Sequence, residues 1–249
     1  MKRTIVITDQ TQMPTSNRVC IVGIDKFGRC IRPVYDEFGV PKKLLFIGDN
    51  LIIRPKAKVQ FDFHDTDINP PHIEDKGFDP DHIISKGLCT DVEWDSILKD
   101  SSYTSVDDIF NNLLIENRWV APGADTKSIS TLSQVTVNAV NLNQWENKLR
   151  YRLSFCDTTD ELFDLPISDL AFREFCYKEI KRDGKDRLKV TRRLTKLLTT
   201  AHRVYLRLGL ARPWAQPGSS ERRCYLQVTG IYSFPDYLQG KSFTDFLSQ

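Results

Sequence analysis

The sequence predicts a mainly β fold with inserted helices, a β-rich α+β class built of barrels rather than of a doubly wound sheet. Three observations carry this. Short Val- and Ile-rich runs recur between Gly, Asn and Pro turns. Helical periodicity is confined to two patches, 90–116 and 170–201. The regular strand–helix alternation of a doubly wound parallel sheet is missing. With 249 residues, 40% of them apolar, the chain is long enough to bury a sizeable core.

The N-terminal segment Thr4–Thr8 reads as a first strand, followed by Arg18–Ile24 and Arg29–Val34. Asp25-Lys26-Phe27-Gly28 joins the last two and supplies a glycine where positive φ is easiest. Leu51–Arg54 is a short strand that Pro55, lacking an N–H, should end. Residues 58–63 (Lys-Val-Gln-Phe-Asp-Phe) alternate with period two, the mark of a half-buried strand. The stretch 64–80 is expected to be loop, because Pro70 and Pro71 bias their predecessors away from the helical region. Thr90 with Glu93 makes a capping box ahead of Trp94, Ile97 and Leu98. Ser105 caps a second helix carrying Val106, Ile109, Phe110, Leu113 and Leu114. Residues 121–130 form the candidate boundary, dividing an N-terminal barrel (1–120) from a C-terminal one (131–249).

In the second half, 135–142, 149–155 and 162–167 read as strands. Leu149, Tyr151, Leu153 and Phe155 point one way, and Arg150, Arg152 and Ser154 the other. Residues 170–180 form a helix, broken at 182–186. Val190, Leu194, Leu197, Leu198 and Ala201 then make the apolar stripe of another, whose opposite face holds Lys189, Arg192, Arg193 and Lys196. Strands 204–210 and 224–232 close the chain around a Pro/Gly/Ser loop.

The net charge of +2 conceals an asymmetry. Residues 1–140 hold 16 basic and 20 acidic side chains, residues 141–249 hold 19 and 13, so the halves carry −4 and +6. Between Arg173 and Arg212 there are 13 basic and 4 acidic residues. Such a segment attracts polyanions. Six cysteines occur without a C-x-x-C pair, which disfavours a zinc ribbon and suits buried reduced thiols. No apolar run reaches the ~18 residues of a membrane helix, and the start of the chain is too soon polar for a signal peptide. A cytoplasmic protein without a membrane partner is the expectation.

Phosphate-binding loops, dinucleotide fingerprints and nucleophile elbows are all missing from the sequence, so ATPases, Rossmann dehydrogenases and α/β-hydrolases are disfavoured. The opening Arg18-Val19-Cys20-Ile21-Val22-Gly23, with Arg29-Cys30-Ile31-Arg32-Pro33-Val34, resembles the start of the prokaryotic dual OB-fold family. Leu206-Arg207-Leu208-Gly209 and Cys224-Tyr225-Leu226-Gln227-Val228 resemble its end. The resemblance implies two OB-like β-barrels of the kind that binds oligonucleotides or oligosaccharides, and it carries no catalytic residues with it.

Alternation along the two closing strands places Tyr205 and Arg207 on one face, with Tyr225 and Gln227 on the matching face of the neighbour. Rings for stacking and guanidiniums for phosphate are what a single-strand platform requires. Arg150 and Arg152, and the helical Arg192, Arg193 and Lys196, extend the set. The expected activity is therefore non-enzymatic binding of single-stranded or irregular nucleic acid, without a cofactor. Two rival classes remain. One is a metal-dependent phosphodiesterase or nuclease centred on His72, Glu74 and Asp75, since imidazole and carboxylate suit transition metals. The other is a protein-interaction subunit whose partner is encoded nearby.

Overall fold

In a computed structural model, residues 1–13, 17–36, 39–146, 148–184 and 186–247 are described. The chain is mainly β, with a closed five-strand barrel and a half-barrel.

The closed barrel is made by β1 (Lys2–Gln12), β2 (Arg18–Asp25), β3 (Cys30–Val34), β4 (Ala57–His64) and β5 (Asp75–Phe78). β1, β2 and β3 form an antiparallel meander. β3 pairs in parallel with β5, β5 pairs antiparallel with β4, and β4 returns to β1 to complete the circuit β1-β2-β3-β5-β4-β1. The period-two pattern of β4 explains its place, because Ala57, Val59, Phe61 and Phe63 are all buried inside. β6 (Ile84–Leu88) adds to β4 as an outer strand with every residue exposed.

Next comes α1 (Asp91–Asp100), started by the expected Thr90–Glu93 capping box. The second helix, α2, is a single turn, Val106–Ile109, shorter than its apolar periodicity suggested; Asn111 and Asn112 take positive φ and end it. Strands β7 (Ser102–Tyr103), β8 (Trp119–Val120) and β9 (Ile129–Leu132) were not legible as strands.

The half-barrel follows. β10 (Thr136–Trp145), β11 (Lys148–Cys156) and β12 (Leu162–Pro166) form a second antiparallel meander. Two helices, α3 (Leu170–Arg182) and α4 (Arg187–Thr199), lead to β13 (Arg203–Leu210) and β14 (Arg222–Phe234), which pair antiparallel. A parallel bridge between Ile167 and Val228 joins the end of the meander to β14. The order β10-β11-β12-β14-β13 thus repeats the first barrel's order, but among the described residues no pairing joins β13 back to β10. α4 covers that open edge instead, and Thr195 Oγ1 accepts the free N–H of Val140 at 2.9 Å.

Strand pairing crosses the expected boundary at 121–130. β7 pairs with β9, β9 with β13, and β8 with β14, so residues 102–120 belong to the second sheet. One continuous apolar core runs from Ile5 and Ile7 through Leu206 and Val228 to Phe246. All six cysteines are free. No helix among the described residues is long and apolar enough to cross a membrane.

Two bulges face each other where the barrels meet. β1 slips register between Ile7 and Asp9, and β13–β14 slip where Arg207 and Leu208 oppose Gly230 and Val228, leaving Thr229 over. A bulge re-aims the side chain at the irregularity. Here Asp9 and Thr229 are brought together, and the Thr229 hydroxyl donates to the Asp9 carboxylate. Gly209 permits the approach: a Cβ there would lie 2.8 Å from Thr229 Cγ2.

Candidate functional site

A cleft of about 1150 Å³ lies between the barrels, walled by β1–β3 on one side and by β11, α3 and the β13–β14 end on the other. Among the described residues its lining includes the cations Arg32, Lys42, Lys148, Arg173 and Arg212, the acids Asp9, Asp36 and Glu174, and the rings of Tyr151, Tyr177, Trp214 and Tyr225. Asp9 is held by Arg207 and Asp36 by Arg18, so two of the three acids already have a cationic partner. The alternation of β11 turns Tyr151 inward, where the Arg173 guanidinium lies 4.7 Å from its ring centre. Trp214 stands 6.0 Å from Tyr225, ring centre to ring centre, and is 52% exposed. The Tyr225 hydroxyl accepts from Gln216 at 3.2 Å.

The residues singled out from the sequence divide into four groups. Tyr225 and Gln227 line the cleft as half-buried side chains of β14. Arg207 does not. It is fully buried, with Nε donating to Asp9 at 2.9 Å and Nη1 to Thr131 Oγ1 at 2.8 Å. Tyr205 is buried as well, packed under α1 with Trp94 and donating to Asp95 at 3.2 Å. The face of β13 that carries both is covered, at Tyr205 by α1 and at Arg207 by β1 of the first barrel, while the opposite face (Val204, Leu206, Leu208, Leu210) packs in the main apolar core. The expectation that Arg207 and Tyr205 face a ligand is corrected accordingly.

Arg150 and Arg152 alternate with the inward Tyr151; Arg152 pairs with Asp164 at 2.7 Å. On α4, Arg192 and Lys196 are exposed, whereas Arg193 joins Glu179 and Asp183 in an ion-pair cluster that ties α4 to α3. None of these five lines the cleft. Sequence inspection overlooked Trp214, Arg212, Arg173, Lys148 and Lys42. The one available signal was Arg212-Pro213-Trp214, a cation and a ring held in a loop by proline.

His72, Glu74 and Asp75 are not an open acidic loop, for all three are buried. His72 has a ring nitrogen 3.3 Å from the Leu210 carbonyl. Burial above all, and then the Arg32 and Arg212 guanidiniums, push its imidazole down to about 3. Glu74 accepts from Ser128 through its N–H at 2.8 Å and its hydroxyl at 2.6 Å. Asp75 takes Arg32 at 2.9 Å and Arg212 at 2.7 Å. The carboxylates are already committed to donors, and the described residues contain no group of three or more His, Cys, Asp or Glu placed to hold a metal ion. The cleft thus offers rings and cations, and its buried ionic groups serve to hold the walls.

No family model matches the chain, and no curated protein matches it in sequence.

Proposed function

We propose that the protein binds a short run of single-stranded nucleic acid in the cleft between its two barrels. Trp214 and Tyr225 supply the stacking surface, Gln227 meets a base edge, and Lys42, Lys148 and Arg173 take backbone phosphates. The observation that carries this reading is the Trp214–Tyr225 pair set in a wall of cations. Bases stack on aromatic side chains whatever their sequence, and a basic groove tracks the backbone. The cleft volume of about 1150 Å³ also exceeds the roughly 300–1,000 Å³ of small-ligand pockets, which suits an oligomer. The five-strand circuit of the first barrel and the matching order of the half-barrel are in keeping with OB-like modules and with the dual OB-fold resemblance.

Fluorescence anisotropy with a labelled thymidylate or uridylate decamer tests the proposal. Three phosphate contacts predict a slope of log K against log salt near −2, taking about −0.7 per phosphate for single strands. Trp214→Ala and Tyr225→Ala should each weaken binding by about 1–3 kcal/mol. Absence of binding at low salt, or affinities that neither substitution changes, would refute the reading.

A further inference from the structure

At one corner of the cleft a single carboxylate holds two guanidiniums. Asp75 Oδ1 lies 2.9 Å from Arg32 Nη1, and Oδ2 lies 2.7 Å from Arg212 Nη1. Arg32 is further fixed by Nη2 donating to Ser128 Oγ at 2.7 Å, and its side chain is only 6% exposed. The Arg212 side chain is 47% exposed and makes no other pairing among the described residues, so its remaining N–H groups are free to meet a ligand. Both arginines line the cleft.

We propose that this corner is a subsite for a terminal phosphate, the phosphomonoester at one end of the bound strand, with Arg212 as its donor and the buried Arg32 adding positive charge behind it. The assignment rests on the single-strand reading above and names which part of the strand the corner takes.

Three features argue for it. A monoester terminus presents three free oxygens and more than one negative charge at neutral pH, whereas a phosphodiester presents two oxygens and one charge. The two guanidiniums share the single Asp75 carboxylate, which leaves the corner one positive charge in excess and the exposed Arg212 fork to meet the terminal oxygens, with Arg32 behind it. The local field also favours an anion: at His72 and at Cys20, which flank the corner, the Arg32 and Arg212 guanidiniums act more strongly than the Asp75 carboxylate. Glu74, the other carboxylate of the network, is turned to Ser128. Finally, Arg212 stands two residues before Trp214, so a phosphate on Arg212 sets the terminal base beside the Trp214–Tyr225 pair.

The test is calorimetric titration with three thymidylate trinucleotides, one bearing a 5′-phosphate, one a 3′-phosphate and one neither. One phosphorylated form should bind at least tenfold tighter than the unphosphorylated one, and which form it is names the end that is held. Arg212→Ala should bring that ratio within twofold, with an unchanged thermal midpoint as the check on folding. Equal affinity for all three would overturn the subsite and leave the single-strand reading standing. A tenfold preference that survives Arg212→Ala would overturn the assignment to this corner. Failure of every trinucleotide and of the decamer to bind would sink the single-strand reading, and thymidine 5′- and 3′-monophosphates would then decide the subsite; they decide it likewise if the decamer alone binds. Saturable monophosphate binding abolished by Arg212→Ala upholds it, and no binding overturns it.

Discussion

Replacing Arg207 with methionine tests whether this residue is a structural ion or a ligand contact. The side chain is fully buried and donates to Asp9 and Thr131, with the Cys30 sulfur 3.5 Å from Nη2. Methionine keeps much of the volume and removes every donor. Asp9, itself buried, then retains, among the described residues, the hydroxyls of Thr8 and Thr229. Breaking a buried pair from one side costs about 3–5 kcal/mol, because a charge is left without its partner. With a urea slope of about 3 kcal/mol/M, the unfolding midpoint should drop by roughly 1–1.7 M. Adding Asp9→Asn removes the orphaned charge and should recover most of that loss, since a buried pair replaced as a whole is often neutral. Equilibrium urea denaturation of the two single variants and the double gives the coupling directly. A loss below about 1 kcal/mol for Arg207→Met, or a double variant no better than the single one, would refute the argument that the pair is a closed, desolvated unit.

Three other outcomes follow from the geometry. A Cβ on Gly23 would lie 2.7 Å from the Val6 carbonyl oxygen across the β1–β2 pair, so Gly23→Ala should destabilise by about 1–3 kcal/mol in thermal unfolding. Thr195→Val strips the acceptor from the Val140 N–H at the β10 edge, and chemical denaturation should show a loss of about 1–3 kcal/mol. His72 is neutral when folded down to about 3 but takes a proton near 6.5 once unfolded. Its contribution is therefore complete above pH 6.5 and falls as acid is added, at about 1.4 kcal/mol per pH unit. His72→Gln should flatten the decline between pH 6.5 and 4 by up to about 3 kcal/mol, measured as the difference between the two proteins' stability curves.

Most of the strands and every α-helix could be read from local patterns, because each has its own cue: alternation in β4 and β11, a capping box at α1, an apolar stripe on α4. The short strands β7, β8 and β9 have no such cue. They exist because neighbouring strands offer them edges, β13 to β9, β9 to β7 and β14 to β8, which is a property of the assembled sheet. The same reason explains the site. Alternation correctly separated the faces of β13, but it cannot tell a solvent-facing side from one covered by a second barrel. Tyr225 and Gln227 were found because β14 has one half-open face. Lys42, Lys148 and Arg173 come from three elements far apart in sequence, and only the meeting of the barrels brings them to one wall. The 64–80 stretch misled for a related reason: its polar residues look like loop chemistry, yet Glu74 and Asp75 are taken up by Ser128, Arg32 and Arg212.

The pairing of Asp9 with Arg207 spans 198 positions of the chain. On a ribosome adding about 5–20 residues per second, the carboxylate emerges roughly 10–40 s before its guanidinium does. Until then the far end of β1 stays hydrated, and the early barrel presents a wet, half-finished flank to the cell. Docking of β13 and β14 dries that flank, so the wall between the barrels is completed only once those two strands have been made.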